Sequence, residues 1–279
     1  MSQSRILYTP RQQKQKPKKF SKEKLRVFLI SVGSAVFLVA CISFARLSYF
    51  QIQEIKFIGS GTEQDTQELR ASIDNLLLGN YALVVPRRFI FGMSGRTLEQ
   101  HLLATLPRFE TISITKQFPH ALSVSYVKRT FFALLCNDAA SSDARACGYV
   151  DRTGFAYEDA PEASGSLIVK IKSDLPAVKV GTQAIDESTT RQMALFGGGM
   201  QRIAGLRLIA YELSMRAPDE LRMHVADGFT LIVKKTDDPE TVLRVLRTVL
   251  DEEIKDKKSK LEYIDLRLGN KVFYKFKKN

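Results

Sequence analysis

Catalysis requires an acid, a base or a nucleophile to converge, and this 279-residue chain offers few such groups. His101 falls on a helical pattern, His120 in a turn and His224 on the polar side of a strand pattern, with no HExxH or other ligand spacing. No G-x-S-x-G elbow occurs. Gly197, Gly198 and Gly199 form a triplet, but it lacks the Lys and Ser/Thr of a P-loop and the spacing of a dinucleotide fingerprint. Asp151, Glu158 and Asp159 gather near one turn, where solvated acids ordinarily sit. No catalytic residue, metal or cofactor is expected.

What remains is the chemistry of binding. Near the C-terminus, Phe273 stands between Lys271 and Lys275 on the odd-numbered side of a strand pattern, an apolar anchor between two cations that suits an acidic partner segment. The bland alternative packs Phe273 on a helix and leaves the lysines to guard the sheet edge. Asp265 and Arg267 lie two apart on one face and can pair with each other, orient Tyr263 or meet a partner. The candidate partner-binding residues are Arg267, Lys271, Phe273, Tyr274 and Lys275.

The element that must place these residues is residues 27–45, VFLISVGSAVFLVACISFA, an uncharged run between Arg26 and Arg46. At about 1.5 Å per residue it reaches about 28 Å, close to the thickness of bilayer hydrocarbon. It is longer than a signal-peptide core and lacks a small-residue exit, and it has no polar face. One membrane pass over 27–46 is expected. The cytoplasmic tail, 1–26, holds nine Lys or Arg against Glu23 alone, so the positive-inside rule sends the rest across the membrane. That tail carries eight of the twelve excess positive charges, which makes the basic excess mostly topological. Anionic inner-leaflet lipid is its natural partner, and nucleic acid is not expected.

Cys41 lies inside the apolar run. Cys136 and Cys147 flank ten polar or small residues, NDAASSDARA, in a compartment expected to be extracytoplasmic. A disulfide closing that loop is one reading; two partly buried thiols are the other.

Beyond the pass, residues 50–58 read as a strand and Thr62 with Asp65 as a capping box before a helix carrying Leu69, Ile73, Leu76 and Leu77. A second helix starts near Thr97 with Gln100 as capping partner, and two strands flank Phe118, Pro119 and His120. The order is β-α-α-β-β, with both helices on one sheet face. Strands and turns follow: a hairpin through DRTG, a strand at 167–171, and a helix over 188–205 interrupted by the glycine triplet. In the hairpin at 221–233, a three-residue loop with Gly228 left-handed pairs Met223 with Leu231. A helix then starts at Asp238 and Pro239, with Val242, Leu246 and Val249 facing inward. In YIDLRLGNKVFYKFKKN the apolar residues from Ile264 to Phe276 are mostly even-numbered, which predicts one long strand rather than a hairpin at Gly269.

The basic tail, the single pass, LPRFETISITKQFPHALSVSYVKRT, GYVDRTGFAYEDAP and YIDLRLGNKV together resemble the FtsQ/DivIB family of bacterial cell-division proteins over nearly the whole chain. Two departures are Lys128 and Arg129, where the family often has an acidic residue, and the family's tail beyond the last strand, which has no counterpart here. The resemblance implies an α+β fold: an N-terminal transmembrane helix, a β-α-α-β-β polypeptide-transport-associated (POTRA) domain at 47–130 and a β-rich domain with flanking helices at 131–279. It also implies a division-septum scaffold that recruits single-pass partners of the FtsB/DivIC and FtsL types. A partner strand added at an exposed C-terminal edge would supply the mechanism. Another POTRA-bearing envelope-assembly protein, or a membrane-anchored cell-wall enzyme, are the competing readings.

Overall fold

A computed structural model describes residues 22–81, 84–137, 147–161, 168–174, 178–269 and 271–278. The fold is α+β, with one N-terminal apolar helix and a large β-rich sheet. Helix α1, Lys22–Ala45, contains an 18-residue stretch of mean hydropathy 2.5 within Glu23–Ala45, long and apolar enough to cross a membrane, and its side chains are almost all exposed.

The described residues form two compact units. The first draws on Met1–Ile52, Leu78–Met93 and Phe118–His120; the second comprises Gln53–Leu77, Ser94–Gln117 and Ala121–Asn279. The boundary expected at residue 130 therefore runs inside the second unit. In the first unit, α1 is followed by a 3₁₀ turn, Ser48–Phe50, and the unit also holds a minimal hairpin of β2, Asn80–Tyr81, and β3, Val85–Pro86.

The second unit opens with β1, Glu54–Gly59, shorter than the strand expected over 50–58. Residues 50–52 pair elsewhere: Ile52 N–H donates to the Arg88 carbonyl and Gln51 bridges to Phe89, which explains the imperfect alternation at the start of that segment. Helix α2, Glu63–Leu76, begins with the expected capping box, Thr62 and Asp65 bonding reciprocally. Helix α3, Gly95–Thr105, starts one turn earlier than the sequence suggested; Ser94, not Thr97, is its cap, accepting from Thr97 N–H. Strands β4, Phe109–Gln117, and β5, Ala121–Lys128, complete a three-stranded sheet ordered β1-β5-β4, with β1 parallel to β5. Leu69, Ile73, Leu98, Leu102, Phe109, Ile112, Leu122 and Val124 are all buried between helices and sheet. Each such side chain stabilises the fold by about 1.5–3 kcal/mol.

The large sheet contains β6, Ala133–Asn137; β7, Cys147–Val150; β8, Phe155–Ala160; β9, Lys170–Ser173; β10, Thr182–Gln183; β11, Leu208–Leu213; β12, Glu220–Val225; β13, Thr230–Lys234; β14, Leu261–Leu268; and β15, Lys271–Phe276. Its order is β10-β8-β7-β6-β9-β11-β12-β13-β14-β15. Helices α4, Glu187–Gly199, and α5, Pro239–Val249, contribute Met193, Phe196, Leu243 and Leu246 to the core formed with one face of this sheet. Of the inward residues expected on α5, Leu246 is fully buried while Val242 and Val249 only border the core, and Leu243, not expected to face inward, is buried beside Leu246. The β12–β13 loop has the expected form, with Met223 opposite Leu231 and Gly228 at φ 87°.

The glycine triplet does not interrupt α4. The helix runs through Gly199 into a π turn, Met200–Ala204, and ends at left-handed Gly205. Gly197 and Gly199 are there for close approach. A Cβ at Gly197 would lie 2.5 Å from Tyr211 Oη, which donates to the Met193 carbonyl, whereas one at Gly198 would meet nothing within 4 Å. Gly197→Ala should therefore destabilise by about 1–3 kcal/mol through overpacking. Gly198→Ala should stabilise by up to about 1 kcal/mol through helix propensity. Thermal melts of the two variants should shift in opposite directions.

The C-terminal segment is a hairpin, contrary to the single strand expected from parity. Gly269 adopts φ 64°, and β15 folds back antiparallel on β14 with Leu268 opposite Lys271. The irregularity between Asp265 and Leu268 restores parity, so Ile264 stands opposite Tyr274 and even-numbered residues of both strands share a face. A bulge thus imitates the pattern of one uninterrupted strand.

Candidate functional site

Among the described residues, strand β15 is the last in the sheet order, paired with β14 on one side only. It reaches that position through α5, which carries the chain from β13 to a parallel β14; Asp238 caps α5 by accepting from Thr241 N–H at 2.9 Å, and Pro239 occupies its first turn. The tight turn at Gly269 then adds β15 outside β14.

Phe273 lies at this margin, 50% exposed, directly across from Asp265. Tyr274 is half-exposed, its ring 5.6 Å from that of Phe276 on the core side. Lys271 is exposed. Lys275 donates to Glu262 at 2.9 Å, a bond that holds its ammonium above its ordinary pKa. Arg267 is turned inward along the sheet. Its guanidinium forks onto Asp265, with Nε at 2.9 Å and a terminal nitrogen at 2.6 Å, and its other terminal nitrogen bonds Glu220. Hydrogen bonds from Arg267 keep the Asp265 carboxyl below the usual range, despite burial that pushes it up. The structure thus brings Lys271, Phe273, Tyr274 and Lys275 together on the outer strand and commits Arg267 to its neighbours.

Those neighbours form a polar row that sequence reasoning missed. Glu220, nearly buried, also accepts from Arg222 at 2.5 Å, and Arg222 lies 3.7 Å from Glu212. Glu212 lies 2.8 Å from His224 Nε2, and His224 Nδ1 lies 3.0 Å from Thr230 Oγ1. Alternation placed Arg222 and His224 on a polar face, but only cross-strand register shows what they meet. A hydroxyl, an imidazole and a carboxylate in sequence can move a proton. Acyl transfer would also need donors aimed at a developing oxyanion, and the structure shows the three groups as rungs of a sheet face crossed by ion pairs. Among the described residues, no group of three or more His, Cys, Asp or Glu is placed to hold a metal ion.

No family model matches this chain, and no curated protein does.

Two further groupings lie at the other end of the sheet from this edge. A disulfide joins Cys136 to Cys147, directly opposed on β6 and β7, closing the loop whose residues 138–146 lie outside the described ones. Asp151, expected to be a solvated turn acid, is instead buried at 3% exposure. It accepts from Thr153 N–H at 2.8 Å, Phe155 N–H at 3.1 Å and Arg129 at 2.6 Å. Arg129 also donates from Nε to the Pro107 carbonyl at 3.0 Å and lies 4.0 Å over the Phe155 ring. One guanidinium therefore ties Pro107 just past α3, the exit of β5 and the β7–β8 turn together.

Proposed function

We propose that this protein is a noncatalytic scaffold of the bacterial division septum, anchored by α1 with its N-terminus in the cytoplasm. Its extracytoplasmic part would comprise a POTRA domain at 47–130 and an FtsQ-type β domain at 131–279. The observation that carries the proposal is β15: a terminal strand with one edge unpaired among the described residues, Phe273 exposed beside Lys271 and Lys275, and Arg267 held in place behind it. Such an edge takes a partner strand through main-chain hydrogen bonds, with alternate side chains setting specificity. The strand order β1-β5-β4 with two intervening helices supports the POTRA assignment, and the apolar α1 supports a single pass. The partners proposed are single-pass proteins of the FtsB/DivIC and FtsL types. The basic tail, read as a contact for anionic inner-leaflet lipid, lies largely outside the described residues.

The test is capture of the tagged full chain from membranes of its native host, with partners identified by mass spectrometry and the tagged chain imaged in dividing cells. Septal localisation with FtsB-like and FtsL-like partners is the expected result. A uniform envelope distribution, with neither partner recovered, would refute the assignment.

A further inference from the structure

The first compact unit carries a strip of aromatic rings that starts in the last turn of α1. The Phe44 ring lies 4.7 Å from that of Phe50 and 6.3 Å from that of Phe89. Phe91 continues the strip, 5.7 Å from Phe50 and 5.5 Å from Phe89, and Phe118 follows 5.1 Å beyond Phe91. Tyr49 joins from the side, 5.0 Å from Phe50. This is not a core: Tyr49 is 61%, Phe91 53% and Phe118 59% exposed.

The strip is fastened to the segment just after α1 by two backbone bonds and one side-chain bond. Ile52 N–H donates to the Arg88 carbonyl at 2.9 Å, Ile90 N–H to the Phe50 carbonyl at 3.1 Å, and Arg46 Nε to the Val84 carbonyl at 3.3 Å. Arg87 lies 5.6 Å over the Tyr81 ring. Exposed rings and arginines therefore occupy one unit with the helix end where the apolar run stops.

We propose that this strip seats in the headgroup–acyl boundary of the bilayer that α1 crosses, so that the lipid surface is its occupant. The inference rests on the proposed membrane pass. Continuity decides the occupant: Phe44 belongs to α1 itself, and each further ring touches the one before it. Aromatic side chains with nearby cations favour the membrane interface, where ring faces leave water and guanidinium groups meet phosphate. A lone helix leaves its soluble part free to swivel about the helix axis. A second, lateral contact removes that freedom and fixes which side of the unit faces the membrane.

The chain contains no tryptophan, so each Phe→Trp variant carries a single fluorescent reporter. Phe37→Trp, midway along α1, Phe91→Trp and Phe118→Trp would each be made in the full chain. Each would be reconstituted into phosphatidylcholine–phosphatidylglycerol vesicles with plain or brominated acyl chains. The expected result is blue-shifted emission for all three, and quenching by bromolipid of about twofold or more at positions 91 and 118, as for an interfacial segment. Strong quenching at 37 with water-like emission and acrylamide sensitivity at both 91 and 118 would overturn the strip while leaving the anchor intact. Absence of quenching at 37 would overturn the membrane pass, and the strip with it.

Discussion

Replacing Arg129 with alanine is expected to destabilise the second compact unit by about 3–5 kcal/mol, the cost of leaving a buried carboxylate without its charge partner. Asp151 would keep its bonds from Thr153 and Phe155 but lose the guanidinium 2.6 Å away, and Phe155 would lose the cation over its ring. Against a typical total stability of about 5–15 kcal/mol, that loss is a large fraction. Urea unfolding of the full chain in detergent measures it, and an Arg129→Ala/Asp151→Asn double variant should cost less than the sum of the singles. The pH dependence gives a second readout. Burial raises the Asp151 pKa, but hydrogen bonds from Thr153, Arg129 and the Phe155 N–H outweigh it, so the folded value lies below the ordinary 3.8. A depressed folded pKa contributes stability that is present above the unfolded pKa and lost as pH falls through the folded one. Removing Arg129 lifts the folded value, so the acid-induced loss should begin at higher pH in the variant. Identical acid profiles for the two proteins would show that Arg129 does not hold this carboxylate ionised.

If the proposed function holds, Phe273→Ala is expected to weaken capture of the proposed FtsB-like and FtsL-like partners by about 30-fold to about 1,000-fold, the range of an interface residue worth about 2–4 kcal/mol. Alanine is preferred to an acid because Asp265 stands directly across the strand pair, where a like charge would itself disturb the hairpin. Arg267 is unsuitable for this test: its three bonds to Asp265 and one to Glu220 make its loss a structural injury. Because Phe273 is half-exposed, its truncation should leave the melting temperature nearly unchanged, which separates binding from folding. Undiminished capture by a normally folded Phe273→Ala protein would exclude this residue as the anchor of the edge.

Features decided within a few residues were legible in the sequence. The Thr62–Asp65 box, the Asp238 cap and the three-residue loop with Gly228 left-handed all depend on side chains reaching their own backbone or on local φ angles. The misread features depend on distant partners. Asp151 is buried because Arg129, twenty-two positions earlier, comes to it. Gly197 is small because Tyr211 arrives from strand β11, and nothing in the run GGG reveals that. The C-terminal hairpin was hidden by a bulge that preserves parity, so periodicity alone could not separate one strand from two. For the candidate edge, residue types were readable while commitments were not: Phe273 was identified as exposed chemistry, but the engagement of Arg267 by Glu220 required the register of three strands.

The placement of β15 also orders events during biosynthesis. Strands β11 to β13 can pair as soon as they emerge, but β14 adds in parallel only after α5 has passed, and β15 only after β14. Until then the growing sheet ends at β13, whose Leu231 and Val233 are buried in the finished fold. Because a nascent chain folds from its N-terminal side, the outer strand β15 is the last part of the sheet to be made. A chain halted before residue 271 would lack the strand proposed here to receive a partner, so docking at that edge, as proposed, would report that translation has gone past it.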